Sequence, residues 1–414
     1  MPYVNCIRAI PEYEAGSGFV ETIWLQPAIG MSATFSLGYV IIHLQSVNWQ
    51  DNQINDTSPS NTGSELCRSV ATKWFVRCVS SHKDCRKDQA FDSWLPTRLI
   101  DVGLDSAQQP RLILTSGLEQ RDKASYVTLS HRWAATQVVT LTSSNIESYL
   151  RQLPVATFSA TFLDAIRATQ ALGIQYLWID FLSIIQDSFD DWQAEATQMG
   201  NVYQNCICNL AAPGSADDGG GLFQQRDPCW VTPTKIHIQY KGHDQIYLAY
   251  ITDAFQKWVS GSSLNRRGWV LQERFASPRT LHFASQLFWE CRMLMASETF
   301  PGGIPDTGSY VERGGNELPM SVKNLRAQRE GLKPWKDLVK TFVRCDITKP
   351  EDRLIAIAGI AKSFHLVNKD EYLAGLWKKD LPWNLAWRIY DPDGEAKVSE
   401  TYRCVLFKGD VKNY

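Results

Sequence analysis

The stretch SATFLDAIRATQALGIQYLWID, residues 159–180, decides the fold. Phe162, Ile166, Thr169 and Leu172 recur at about helical spacing, and Gly173 stands where a helix stops. Ile174 to Ile179 is then a near-continuous apolar run that ends at Asp180 and reads as a buried strand. Upstream, YVTLS at 126–130 is a short β-prone run. Downstream, Asp190 is placed to cap a helix on which Trp192, Glu195, Met199 and Tyr203 recur every three or four residues. Cys206 to Ala212 is a third apolar run, closed by Pro213 and Gly214; Cys206 and Cys208 alternate within it and read as core residues on one side. Strand, helix, strand, helix, strand predicts a parallel sheet with right-handed crossovers, an α/β doubly wound fold. In such sheets ligands sit beyond the carboxyl ends of the strands, here His131 to Trp133, Asp180 to Asp187, and Pro213 to Gly221.

The rest of the chain bounds the function. Its 414 residues suit two or three packing units, or one large domain with additions. The expected division is an amino-terminal extension at 1–64, an α/β core at 65–230, a β-rich and helical completion at 231–300, and a helical extension at 301–414. The polar run DNQINDTSPSNTGS at 51–64 is linker chemistry and marks the first boundary. With 42 basic and 44 acidic side chains the net charge is −2, which offers no field to gather phosphate backbones or anionic lipid. Neither nucleic acid nor a membrane is therefore expected as a partner. The longest apolar stretch, Ile29 to Leu44, is too short and too interrupted to span a bilayer, and reads as buried strands or a core helix. Met1 to Gly16 carries acidic residues and no basic segment leading into an apolar core, so no secretory signal is expected. Ten cysteines without such a signal imply reduced thiols and a cytoplasmic protein.

Several ordered blocks resemble the fungal heterokaryon incompatibility (HET) domain family. These are YVTLSHRWA at 126–134, FLDAIRATQALGIQYLWIDFLSIIQD at 162–187, DDWQAEATQMGNVYQNC at 190–206, GLFQQRDP at 221–228, LNRRGWVLQERFASPRTLHF at 264–283, QLFWEC at 286–291 and KPEDRLIAIAGIA at 349–361. Trp74, Cys78, His82 and Cys85 before LPTRLIDV at 95–102 look like the family's lead-in. The resemblance covers about residues 70 to 380. It implies a role in fungal nonself recognition and programmed cell death. It also implies a TIR-like, flavodoxin-like parallel sheet flanked by helices, because HET domains are distantly similar to TIR domains, some of which cleave NAD+ with a glutamate in the cleft. Two departures stand out: Ser183 replaces a Cys common in the family, and Ala134 replaces a Gly.

Three functions follow from different classes: a cell-death effector, an enzyme, or a noncatalytic assembly module. The enzyme would hydrolyse NAD+, or act as cyclase, lyase or hydrolase on a small metabolite of secondary metabolism. No cofactor is assigned, and NAD+ enters only as a substrate. The expected partner is a small-molecule ligand or a protein, with a homo-oligomer left open. Four residues are candidates for catalysis. His131 suits an acid or base and Asp180 a desolvated carboxylate, whose other reading is a helix cap or the partner of a buried arginine. By the TIR resemblance Glu195 is a candidate for the glutamate that stabilises an oxocarbenium-like transition state, with Asp187 its rival. Arg132, Trp133, Ser183, Gln186, Trp269 and Glu273 are candidates for ligand binding, Trp269 and Glu273 sharing a helix face at i, i+4 spacing. The other reading of the 266–279 cluster is an internal salt-bridge network.

No metal is assigned. Cys78, His82 and Cys85 have a metal-compatible spacing that Cys67 could complete, but a structural zinc normally shows two tight pairs, and buried thiols are the competing reading. GGG at 219–221 could cradle phosphate, yet no GK[ST] follows it, so it reads as a flexible turn.

Overall fold

The computed structural model describes residues 22–24, 41–46, 58–85, 94–104, 108–132, 139–215, 220–240, 243–251, 254–304 and 332–381. Numbered along the chain, the strands are β1 (Thr22–Trp24), β2 (Ile41–Ser46), β3 (Arg98–Asp101), β4 (Arg111–Leu114), β5 (Tyr126–Ser130), β6 (Tyr176–Trp178), β7 (Cys208–Ala211), β8 (Thr234–Tyr240), β9 (His243–Ile251), β10 (Arg279–Phe283), β11 (Leu287–Cys291), β12 (Met295–Ser297), β13 (Tyr372–Leu373) and β14 (Leu376–Trp377). The helices are α1 (Glu65–Ser81), α2 (Ile146–Tyr149), α3 (Ala160–Ala171), α4 (Asp180–Ser183), α5 (Phe189–Asn205), α6 (Gly268–Ala276), α7 (Leu332–Val343) and α8 (Arg353–Asn368). Among the described residues no helix is long and apolar enough to cross a membrane.

The large sheet has the order β12-β11-β10-β7-β5-β6-β3-β4. Its centre, β10-β7-β5-β6, is parallel, while β3, β4, β11 and β12 add antiparallel edges. The fold is α/β with helices on both faces, as the alternation of elements predicts, but the sheet is mixed rather than all parallel. The antiparallel edges come from short hairpin connections that no βαβ rhythm announces. A separate antiparallel sheet runs β1-β2-β9-β8.

Local chemistry sets the element ends. Ser159 Oγ accepts the Phe162 amide at 3.3 Å to cap α3, and Gly173, at φ +73°, ends that turn in the left-handed region. Helix α5 is capped by Ser188, whose Oγ accepts the Asp191 amide at 3.3 Å, rather than by Asp190, which lies in the first turn. Asp180 does not close a strand; it opens the single turn of α4. Cys206 caps the end of α5 before the strand begins and packs with Tyr126 and Trp178, whereas Cys208 packs with Val127 and Leu129. The two thiols are both buried but lie on opposite sides of the sheet, because only Cys208 is in the strand.

Alternation along the strands divides the core. Val127, Leu129, Leu177, Ile179, Cys208, Leu210, Leu281 and Phe283 point to one face and pack with Phe162, Ala165 and Ile166 of α3 and with Trp74 and Phe75 of α1. Tyr126 and Trp178 point to the other face and meet Met199, Val202 and Tyr203 of α5. On that second face α6 buries Leu271 and Phe275 against Trp335, Leu338 and Phe342 of α7 and Ile357, Ile360 and Phe364 of α8. Glycines let α5 and α8 cross closely: a Cβ on Gly200 would lie 3.1 Å from the Gly359 Cα, tighter than ordinary contact.

Candidate functional site

In chain order the central strands run 2-1-3-4 (β6-β5-β7-β10), so the direction of winding reverses between β5 and β7. The carboxyl ends of those two strands form the topological switch point, where α/β sheets bind ligands. Register places a polar stripe across the α5/α6 face there: Thr128 pairs with Asn209, Asn209 with Thr280, and Thr280 with Glu290. One pleat further along, Ser130 pairs with Ala211, and Ala211 with His282. These polar residues occupy the alternate positions of strands whose other face is apolar.

Helix α6 lies over the stripe and inserts two consecutive charged residues. Glu273 Oε2 accepts the Ser130 hydroxyl at 2.5 Å; Asn209 Nδ2 donates to Ser130 Oγ at 3.0 Å, and Thr128 Oγ1 donates to Asn209 Oδ1 at 3.0 Å. Burial pushes the Glu273 carboxyl up to about 7; Arg267 and Ser130 hold it down, Asp180 adds to the rise, and a Tyr203 hydrogen bond opposes it. Burial, then the Glu273 and Asp180 charges, hold the Tyr203 hydroxyl well above its ordinary value. The next residue, Arg274, grips Glu290 through Nε–Oε2 at 2.7 Å and Nη2–Oε1 at 3.1 Å. His282 Nε2 meets Glu290 Oε2 at 3.0 Å. Although burial opposes ionisation, Arg274 and His282 hold Glu290 down at about 2. Glu290 is thus a fixed anion, while Glu273 exchanges its proton near neutrality and can serve as acid or base.

His131 follows β5 directly and is buried, its ring edge-on to Phe162 at 5.3 Å and tilted against Phe181 at 5.9 Å. Its Nδ1 lies 4.0 Å from Asp180 Oδ1, and its carbonyl accepts a hydrogen bond from Arg267 Nη1. Asp180 is partly exposed and accepts the Phe181 amide at 2.9 Å. Asp180 and Arg267 both act on the charge of Glu273, and Arg267 also binds the His131 backbone, while the His131 ring lies on the Phe162 side of the strand. Arg132 is half-buried beside them, and Trp133 lies outside the described residues.

Other sequence candidates are elsewhere. Glu195 is buried 3.9 Å from Arg98, which also forks Asp191 and donates to the Ser183 carbonyl at 2.8 Å. Burial raises Glu195, with Thr97 and Arg98 opposing and Asp191 adding, whereas the groups that act most on Glu273 are Arg267, Ser130, Asp180 and Tyr203. Asp187 is exposed and accepts the Ser143 amide at 2.8 Å and its hydroxyl at 3.2 Å, tying two loops. Gln186 is exposed and donates to the carbonyls of Ile184 and Asp180 at 3.1 and 3.3 Å. Ser183 Oγ is buried with no hydrogen-bond partner among the described residues, so no base activates it. Trp269 packs with both the α7/α8 cluster and the α5 cluster that includes Tyr203, and it hydrogen-bonds Asp352. In the glycine run, Gly221 adopts φ +69°, and the Leu222 and Phe223 amides donate to Asp164 Oδ2 at 3.0 and 3.3 Å. A protein carboxylate occupies the amides that a phosphate would need.

Cys67 does not join the other metal candidates. Its thiol donates to Glu298 Oε1 at 2.9 Å, and burial, then Glu298, push it up to about 11. Cys78, His82 and Cys85 do come together, and the fourth member is Cys291 of β11. Ser130, Thr128 and Asn209 were also outside the sequence candidates. Their signal was the alternation of small polar residues in β5 and β7, read simply as strand.

No curated protein and no solved structure gave a match to this chain. The family model described as heterokaryon incompatibility protein (HET) matches residues 126–273. That span opens on the first residue of β5 and closes on Glu273, and so encloses the switch point and the glutamate that α6 delivers to it. The chain accordingly carries a heterokaryon incompatibility (HET) domain over residues 126–273.

Proposed function

We propose that this HET-domain protein is an effector of incompatibility-type cell death that works by hydrolysing a nicotinamide nucleotide, NAD+, at the switch point between β5 and β7. One observation carries the reading: a buried glutamate, Glu273, is held near neutral pKa beside Ser130 where this strand order binds nucleotides. The bond from ribose C1′ to the nicotinamide nitrogen breaks, and its electron pair leaves with nicotinamide as a neutral base. The oxocarbenium-like sugar is stabilised by the partly exposed Asp180 carboxylate. Water attacks C1′ and gives its proton to ionised Glu273, yielding ADP-ribose. His131 and Arg267 position the strand end that faces the sugar. The base form of Glu273 accumulates above about 7, so the rate rises with pH through that value.

The test is nicotinamide release from NAD+ by the purified chain, followed by chromatography, with Glu273→Gln and Glu195→Gln beside it. Glu273→Gln should reduce release by about 10²-fold or more, the range of a general base, while Glu195→Gln stays within a few-fold. Absence of release at every protein concentration would sink the hydrolase reading. The burial of Ser130 and Glu273 beneath α6 favours a second reading, a noncatalytic assembly module in which the polar stripe anchors that helix. Toxicity on expression that survives Glu273→Gln would select it.

A further inference from the structure

We propose that Cys78, His82, Cys85 and Cys291 bind one zinc ion in a tetrahedral three-sulfur, one-nitrogen site that locks the end of α1 onto β11. The four donor atoms lie within 4.8 Å of one another and all four residues are buried. With zinc–sulfur bonds of ~2.3 Å and zinc–nitrogen bonds of ~2.1 Å, a tetrahedral site has sulfur–nitrogen edges of about 3.6 Å and sulfur–sulfur edges of about 3.8 Å. Cys291 Sγ is already 3.4 Å from His82 Nδ1. Closing the longest separation onto such a shell takes about 1 Å, within reach of side-chain rotation. Three soft sulfurs and an imidazole select zinc over magnesium, calcium or manganese, which take oxygen ligands.

The surroundings fit the charge of the ion. Three thiolates and Zn²⁺ leave one negative charge, and the buried Arg279 guanidinium donates to Cys78 Sγ at 3.1 Å to balance it. Arg279 also holds the carbonyls of Ile207 at 3.1 Å and Cys85 at 3.4 Å, fixing the loop that carries the third ligand. Four protein ligands leave no open position, which marks a structural rather than a catalytic ion. The place in the sheet agrees. Cys291 pairs with Arg279, at the amino end of the parallel β10, whereas the switch-point cluster lies at the carboxyl ends. From the level of Cys208 to that of Ala211, the partner of Ser130, the separation is about 10 Å at ~3.3 Å per residue.

The test uses the full chain, purified without chelator, with zinc per chain measured by elemental mass spectrometry. One zinc per chain is expected, falling to none in Cys291→Ser, with Cys67→Ser unchanged at one. Replacement by cobalt(II) should give a sulfur-to-cobalt charge-transfer band of three-thiolate intensity. Because Cys291→Ser can fail to fold, His82→Cys supplies an independent arm: it should keep one ion and raise that band to four-thiolate intensity. Zinc-free protein whose urea unfolding is unmoved by added zinc would overturn the proposal. A disulfide among Cys78, Cys85 and Cys291 in non-reduced peptide maps, or full zinc in Cys291→Ser, would do the same.

Discussion

Glu273→Gln changes one titrating group and keeps its shape, so it exposes the cost of ionising a carboxylate beneath α6. The carboxyl rises from 4.5 to about 7 on folding. Between those values the folded chain holds the proton more tightly than the unfolded chain, so stability is greatest below 4.5 and declines as pH rises through about 7. The whole change corresponds to about 3.4 kcal/mol at ~1.36 kcal/mol per pH unit. Integrating the two titrations, about 2.5 kcal/mol of it falls between about pH 5 and about pH 8. Glutamine carries no such proton. The stability of Glu273→Gln relative to wild type should therefore rise by about 2.5 kcal/mol over that interval. Burial also raises Glu195 and lowers His282, but both titrate in the two proteins alike and cancel in the difference. The assay is urea unfolding by tryptophan fluorescence at both pH values, with equal slopes required. A relative stability that moves by less than about 0.5 kcal/mol, or falls, would refute the assignment of a buried, proton-exchanging Glu273.

Three further perturbations probe the rest of the face. Arg98→Met strands Asp191 and Glu195 without their cation and should cost about 3–5 kcal/mol, read as a lower urea midpoint; a change under 1 kcal/mol would mean the pair is solvated. Glu290 is held at about 2, below its ordinary 4.5, so its stabilisation is complete above 4.5 and is lost as pH falls through 2; Glu290→Gln should flatten acid unfolding in that window while destabilising the neutral protein. Ser183→Ala removes a buried hydroxyl that has no partner among the described residues and should be neutral or stabilising by up to ~1 kcal/mol with nicotinamide release unchanged; loss of release would restore a nucleophile at that position.

What the sequence made legible was local. The residues that announce α3 and β6 do so within one stretch: the Ser159 cap, the 162-166-169-172 face and the Gly173 stop are neighbours whose meaning depends on nothing distant. The parallel pairing of β5 with β6 and β7 followed from the same rhythm. The antiparallel edges did not, because β11 and β12 pair through hairpin register, and their burial on both faces removes the alternation that would reveal a half-exposed strand. Glu195 illustrates the other failure. The helical rhythm places it about two turns into α5, but a helix face is chosen by its neighbours, and Arg98 on the antiparallel strand β3 claims it.

The functional groups that were missed share a cause, and it bears on what the domain is built to do. Each polar cluster is completed by a residue far along the chain: Ser130 by Glu273, Cys78 and Cys85 by Cys291, Glu290 by Arg274 on the far side of a hairpin. Spacing rules see Cys67, the nearer thiol, and choose it; the fold brings β11 alongside α1 and leaves Cys67 to Glu298 and Arg226. The residues from 264 to 291 thus serve both ends of one sheet at once. Helix α6 carries the proton-exchanging carboxylate to the switch point, and the β10–β11 hairpin carries Arg279 and Cys291 to the opposite end. A metal-fixed hairpin sets the position of the strand that follows α6, and so helps fix the helix that aims Glu273 at Ser130. Zinc removal should then reach the switch point only through that packing. Glu273 would lose its near-neutral titration when the hairpin loosens, while Glu273→Gln would leave the zinc content at one per chain.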